Sequence, residues 1–160
     1  MHVYIMRHGD AALDAASDAQ RPLTHCGVVE SQQMSRWLAV QQPAFDMTLV
    51  SPFLRAQQTF NAFSENVTTS GEVETLEMLT PSGDAQAVGD YLQGLASEGV
   101  ESVMIISHLP LVGYLVSTLC PEQCPPMFAT AGIAHIDYDA KSARGTLCWQ
   151  ESPSRLATAM

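Results

Sequence analysis

A chain of 160 residues fits one domain, and its 46% apolar and 15% charged residues supply a core while leaving too little charge for disorder. Seven Lys plus Arg stand against 17 Asp plus Glu, a net charge of −10. No basic run occurs, so phosphate backbones and anionic lipid surfaces are excluded as expected partners.

Short apolar runs alternate with longer segments of helical period, without internal repeat or linker. That pattern predicts a single α/β domain over residues 1–160. The apolar run before Arg7 is only Val3 to Met6, short of a signal peptide, and no stretch approaches the roughly 18 apolar residues of a membrane span. Cys26, Cys120, Cys124 and Cys148 are scattered through a chain that needs no staple, so a reduced, cytosolic protein is expected.

In chain order, apolar runs at 3–6, 47–50, 73–76 and 103–106 predict strands buried on both faces. A polar stretch, 10–22, follows the first strand, and a helix opens near Thr24 with Met34, Trp37 and Leu38 on one face. Ser51 as N-cap and Pro52 at the first helical position open a second helix, whose Phe53, Ala56, Phe60 and Phe63 form a stripe facing the sheet. A third helix covers 84–98, burying Val88, Tyr91, Leu92 and Leu95 and stopping at Gly99, and a fourth begins at Pro110 and ends before Pro121. The alternating run 133–138, a polar turn at 139–145 and the run 146–149 predict an antiparallel hairpin on the edge of an otherwise parallel sheet.

Ligands of open α/β sheets bind beyond the carboxyl ends of the strands. There this chain places Arg7-His8-Gly9, then Ser51-Pro52 with Arg55 one turn into a helix, then Ser107-His108. Gly9 allows a sharp turn with positive φ that lets His8 stand out of the sheet. Arg55 falls near the positive end of its helix, where anions are favoured. A lone histidine after a strand is more often solvated or structural than catalytic. Two converging with Arg7, Arg21 and Arg55, in a chain with seven basic residues, describe an anion pocket. Arg36 lies mid-helix as a solvated residue, and His2, His25 and His135 receive no role.

Phosphoryl transfer spreads charge over three equatorial oxygens, and bidentate guanidinium groups fit that geometry without a metal. A neutral His8 behind the phosphorus is a competent nucleophile, held unprotonated by the arginines, and His108 as its imidazolium binds an oxygen.

Arg7-His8-Gly9, the segment Ser51-Pro52-x-x-Arg55-Ala56-x-x-Thr59 and a second His after a later strand together resemble the histidine phosphatase superfamily, relatives of phosphoglycerate mutase. The segments MRHGDAALDAASD, RPLT, SPFLRAQQT, LTPSGD, SHLPLVGYLVSTLCP and PPMF are similar to its small bacterial phosphohistidine phosphatases. The resemblance implies a three-layer α/β/α sandwich around a mixed, mostly parallel sheet. It implies His8 as the transiently phosphorylated nucleophile, with Arg7, Arg55 and His108 as the rest of the catalytic core and Arg21 as an added phosphate contact. It implies no metal and no cofactor. The implied partner is a phosphohistidine-bearing signalling protein, a histidine phosphotransfer domain or a phosphocarrier, and the default oligomeric state is a monomer.

Larger members carry a carboxylic general acid after the third strand, where this chain has Leu76-Glu77-Met78. Met78 takes the acid's position, with Glu77 and Asp84 as nearby alternatives. An alkoxide leaving group needs a proton, whereas a protonated imidazole leaves readily near neutral pH. A missing acid therefore favours N–P over O–P cleavage. The rival readings are a small-molecule phosphomonoesterase of the same superfamily, a non-catalytic phosphate-binding module, and a metal site on His8, His108 and a cysteine. Two histidines argue against the second, and the absence of a Cys-x-x-Cys pair against the third. No Gly-rich nucleotide loop follows any strand.

Overall fold

A computed structural model describes residues 1–69 and 71–159. The chain runs β1 (His2–Arg7), a 3-10 turn (Asp18–Gln20), α1 (His25–Gln41), β2 (Met47–Val50), α2 (Leu54–Phe63) and β3 (Glu72–Thr75). A second 3-10 turn (Glu77–Leu79) leads to α3 (Ala85–Ser97), β4 (Ser102–Ser107), α4 (Leu111–Leu119), β5 (Ile133–Asp139), β6 (Arg144–Glu151) and α5 (Pro153–Ala159). The six strands form one sheet in the order β3-β2-β4-β1-β5-β6. β1 to β4 pair in parallel, and the predicted hairpin β5–β6 closes one edge antiparallel.

Side chains alternate across a strand, and here each face has its own core. Val3, Ile5, Val103 and Ile105 pack with Val88, Leu92, Val112 and Leu115 of α3 and α4. Tyr4, Met6, Met104 and Ile106 pack with Met34, Leu38, Ala56 and Phe63 of α1 and α2. Both faces are therefore covered by helices, giving the expected α/β/α layers, with Phe63 and Ile5 fully buried at about 2–3 kcal/mol of transfer free energy each.

Helix ends follow the predicted signals except at α2. Thr24 caps α1, its hydroxyl accepting from the Gly27 N–H at 3.0 Å, and Asp84 caps α3 by accepting from Gln86 N–H at 3.0 Å. Each such cap contributes about 1 kcal/mol. Gly99, at φ 91°, ends α3 as predicted. α2, however, starts at Leu54 with Phe53 at its cap position. Ser51 and Pro52 lie in the turn before it, and Phe53 leaves the predicted stripe to meet His108, ring centroids 5.2 Å apart.

Two further expectations are corrected. β3 is an edge strand with Val73 43% exposed, because Glu72 and Glu74 flank that single valine and only one neighbour, β2, pairs with it. Gly9 is not among the residues with positive φ. A Cβ there would come within 2.7 Å of the Gly27 carbonyl oxygen and 2.8 Å of Ser31 Oγ, so Gly9 serves close packing of β1's end against α1. No helix among the described residues is long and apolar enough to cross a membrane.

Candidate active site

β1 and β4 pair with Met6 opposite Ile106 and Arg7 opposite Ser107. Extending that register by one residue puts His8 beside His108, and the alternation of side chains sends both to the face covered by α1 and α2. Their ring centroids are 5.0 Å apart. Backbone bonds fix both strand ends: His8 N–H donates to the Ser107 carbonyl at 3.0 Å, and the His108 carbonyl accepts from Val112 in the first turn of α4.

The His8 ring has one tautomer. Its Nδ1 lies 2.7 Å from the Gly9 carbonyl oxygen, which can only accept, so Nδ1 carries the proton and Nε2 keeps a lone pair. That lone pair accepts from Arg55 Nε–H at 3.3 Å. Burial, then the charges of Arg55, Arg7 and Arg21, outweigh the Gly9 bond and push the His8 pKa down to about 4, so the ring is neutral at pH 7. Gly9 N–H donates to Thr59 Oγ1, whose hydroxyl donates to the Arg55 carbonyl. Loop and helix are thus tied on the nucleophile's side.

His108 departs from the expected imidazolium. Burial first, then the neighbouring His8 and Arg55, push its pKa down to about 3. Its Nε2 meets Ser51 Oγ at 2.7 Å, and Ser51 Oγ also accepts from Phe53 N–H. The buried Ser51 proton is satisfied by donating to Nε2, which leaves the His108 proton on Nδ1. Among the described residues, two buried side-chain polar atoms lack a hydrogen-bond partner, His108 Nδ1 and Arg7 Nε. Both belong to this site, and both are N–H donors suited to an anion's oxygens.

The three arginines are held differently. Arg7 donates through Nη1 to the Phe128 carbonyl at 2.8 Å. Arg55, 4% exposed, donates through Nη1 to the Asp18 carbonyl at 2.6 Å and through Nη2 to the Asp18 carboxylate at 3.1 Å, while its Cζ stacks over Phe53, 5.1 Å from the ring centroid. Arg21 donates to the Ala12 carbonyl at 2.8 Å and pairs with Asp18 at 3.1 Å. It reaches the centre through Asp18.

Asp18 was missed by sequence reasoning. It sits in the 3-10 turn inside the polar stretch after β1, and its carboxylate joins Arg21 to Arg55. The one signal was an acid three residues before an arginine already assigned to an anion pocket. Hydrogen bonds from Arg21 and Arg55 hold its pKa below the usual carboxylate range, so it stays ionised and is unsuited to donate a proton. Asp84 spends its carboxylate capping α3. Glu77 is exposed and Met78 packs against the core; Leu79 of the same turn accepts from Ser107 Oγ.

No group of three or more His, Cys, Asp or Glu among the described residues could hold a metal ion. Cys120 is buried in the core and Cys26, Cys124 and Cys148 are exposed, all as free thiols. An open groove of about 760 Å³ between Met1, Asp90, Tyr138 and Lys141 lies at the sheet's opposite edge and contains none of these residues.

The model of the histidine phosphatase superfamily (branch 1) matches residues 3–80. The chain is 54% identical to phosphohistidine phosphatase SixA of Escherichia coli over 99% of this chain and 98% of that protein. It is 39% identical to a SixA homologue of Haemophilus influenzae over 96% and 97% of the two chains. A solved structure of the protein histidine phosphatase SixA complexed with tungstate superposes with a TM-score of 0.94, at 54% identity, over 98% of this chain and 99% of that one.

Proposed function

The chain belongs to the histidine phosphatase superfamily, and from that premise we propose that it is a hydrolase removing the phosphoryl group from a phosphohistidine of a protein, through a covalent phospho-His8 intermediate. The observation that carries this reading is the fixed tautomer of His8, with Nδ1–H on the Gly9 carbonyl and a neutral Nε2 facing Arg55. The similar SixA structure with tungstate supports it, since tungstate, like phosphate, is a tetrahedral oxyanion.

In the first step the His8 Nε2 lone pair forms a bond to phosphorus while the P–N bond to the substrate imidazole breaks. A substrate ring protonated on its other nitrogen leaves as neutral imidazole, so no enzyme acid is required. Arg7, Arg55 and the Nδ1–H of His108 hold the oxygens and offset the charge of the transition state, and Arg21 adds its charge from across Asp18. Phospho-His8 keeps its Nδ1 proton on Gly9 and is therefore itself an activated, cationic N-phosphate. Water then attacks phosphorus, the Nε2–P bond breaks, the water's proton leaves with inorganic phosphate, and neutral His8 returns. No step runs through a metal.

The scarcity of acids favours N–P cleavage over the phosphomonoesterase reading. Asp18 is held ionised, Asp84 is a cap and Met78 has no proton to give. We further propose that residues 1–160 form one histidine phosphatase domain, acting as a cytoplasmic monomer on a histidine phosphotransfer domain or a phosphocarrier. Phosphate release from a phosphohistidine phosphotransfer protein, compared with phosphoserine and a sugar phosphate at equal enzyme, tests the reading. The expected result is a strong preference for phosphohistidine, lost in His8→Ala; equal or better cleavage of the O-phosphates overturns it.

A further inference from the structure

Six large apolar side chains are exposed among the described residues, and four lie on segments that leave or return to the carboxyl edge of the sheet: Leu13 (89% exposed), Leu54 (37%), Tyr114 (53%) and Met127 (78%). Their places in the chain tie them to the reaction centre. Leu13 follows Ala12, whose carbonyl accepts from Arg21. Leu54 lies between Phe53, which meets His108 and Arg55, and Arg55 itself. Met127 precedes Phe128, whose carbonyl accepts from Arg7. Tyr114 donates its N–H to the carbonyl of Pro110, two residues beyond His108. Each anchor of the anion pocket thus has an exposed apolar residue close to it in the chain, while His8 itself is 6% exposed.

The exposed charges at this edge of the sheet are mostly acidic, beside Leu13 and on the turn between β3 and α3. Asp14, Glu77 and Asp84 are exposed, whereas the cations there are Arg7, Arg21 and Arg55, engaged at the site. Lys141 and Arg144 belong to the hairpin and Arg36 to α1, and Arg155, which lies near Met127, is paired with Glu151 at 3.7 Å. The pocket is cationic, its collar apolar, and its outer rim acidic.

We propose that this collar is a docking surface for one kind of partner, a folded protein whose phosphohistidine projects from an apolar patch flanked by Lys or Arg. The proposal rests on the phosphohistidine reading of the site and names how the substrate is chosen. Apolar contact around a buried polar centre is the usual anatomy of a binding hot spot, and opposite charge at the rim speeds encounter and fixes orientation. A free phosphorylated metabolite reaches His8 without touching the collar and meets only the repulsion of the rim.

The test is the double variant Leu13→Ser/Met127→Ser, with Val40→Ser as a control at an exposed apolar residue on α1. Both residues are surface positions, where substitution costs the fold little. Each enzyme is assayed on a phosphorylated histidine phosphotransfer domain and on phosphoramidate, a small N–P substrate. The expected result is a drop in kcat/KM of at least about tenfold on the protein, through KM, with phosphoramidate turnover unchanged and Val40→Ser like wild type. KM for the protein is also expected to rise with salt. A parallel loss on both substrates, no loss on either, or a wild type that cleaves phosphoramidate and ignores the protein overturns the docking surface. A wild type that cleaves phosphoserine and neither N–P substrate overturns the phosphohistidine reading beneath it.

Discussion

β1 carries a histidine pair at each end, and the two pairs have little in common but their residue type. At the amino end His2 Nδ1 and His135 Nε2 lie 3.0 Å apart, with His135 stacked on Tyr4 at 4.2 Å and tilted against Trp149. These rings hydrogen-bond to each other and fill an aromatic cluster on β1, β5 and β6. At the carboxyl end His8 and His108 make no bond to each other. One is pinned by a backbone carbonyl, the other by a serine, and each presents its second nitrogen to a buried space shared with arginines. Two histidines become a reactive site when their tautomers are fixed, one keeps a lone pair held only by a long 3.3 Å bond from Arg55 Nε–H, and the other keeps a donor without a partner beside positive charge.

The largest effect expected from that contrast is at the nucleophile. His8→Ala should lower turnover of phosphohistidine by at least about 10³-fold, whereas His135→Ala should leave kcat/KM within about twofold and cost only stability. Comparable losses in the two variants, measured by phosphate release, would erase the distinction. Next comes the charge that separates the pairs. Arg55→Ala should cost about 10²–10³-fold in kcat by removing a donor to the transition state, and Asp18→Ala about tenfold by releasing Arg55 and Arg21 from a common anchor. Asp18→Asn, which keeps a hydrogen-bond acceptor, should recover part of that loss; an Asp18→Ala enzyme with wild-type kinetics would show that the bridge has no part in holding the arginines.

The smallest effect is on stability. The pKa values of His8 and His108 are depressed to about 4 and about 3, while an unfolded histidine titrates near 6.5. Between those values the unfolded chain binds more protons than the folded one, so stability is present above about pH 6.5 and is lost as the pH falls toward the folded values. For His8 the loss is on the order of 3 kcal/mol. The melting temperature should therefore drop between pH 7 and pH 4, and the drop should be shallower in His8→Asn. His135, lowered by burial and by His2, should flatten the curve less when replaced. Parallel curves for wild type and His8→Asn would mean that His8 is not buried neutral.

Much of this was legible in the sequence because strands and their ends are legible. The runs at 3–6, 47–50 and 103–106 became β1, β2 and β4 within a residue at either end, and Arg7, His8, Arg55 and His108 followed directly from the strand ends and the helix after β2. The misses are tertiary. Ser51 and Pro52 have the chemistry of a helix start, but Ser51 is taken by His108 and Phe53 by the stack on His108 and Arg55, so α2 begins later. Asp18 lies in a stretch without periodicity, where an acid reads as solvated surface until the fold brings Arg55 to it. The contribution of Phe128 is a backbone carbonyl, to which no side-chain pattern points. α5 was overlooked as a short segment after the hairpin, although Pro153 at its first position was a usable signal.

On this mechanism phosphoryl transfer passes through Nε2 of His8. Rapid mixing of the wild-type protein with a phosphohistidine substrate, quenching in base and mapping of the phosphopeptides by mass spectrometry tests it most directly, with phosphorus NMR to tell the two ring nitrogens apart. The expected result is an acid-labile phosphoryl group on the peptide containing His8, attached at Nε2, appearing before free phosphate and absent from His8→Ala. Phosphate released at full rate with no phosphoryl group on His8, or a phosphoryl group on Nδ1, would contradict it.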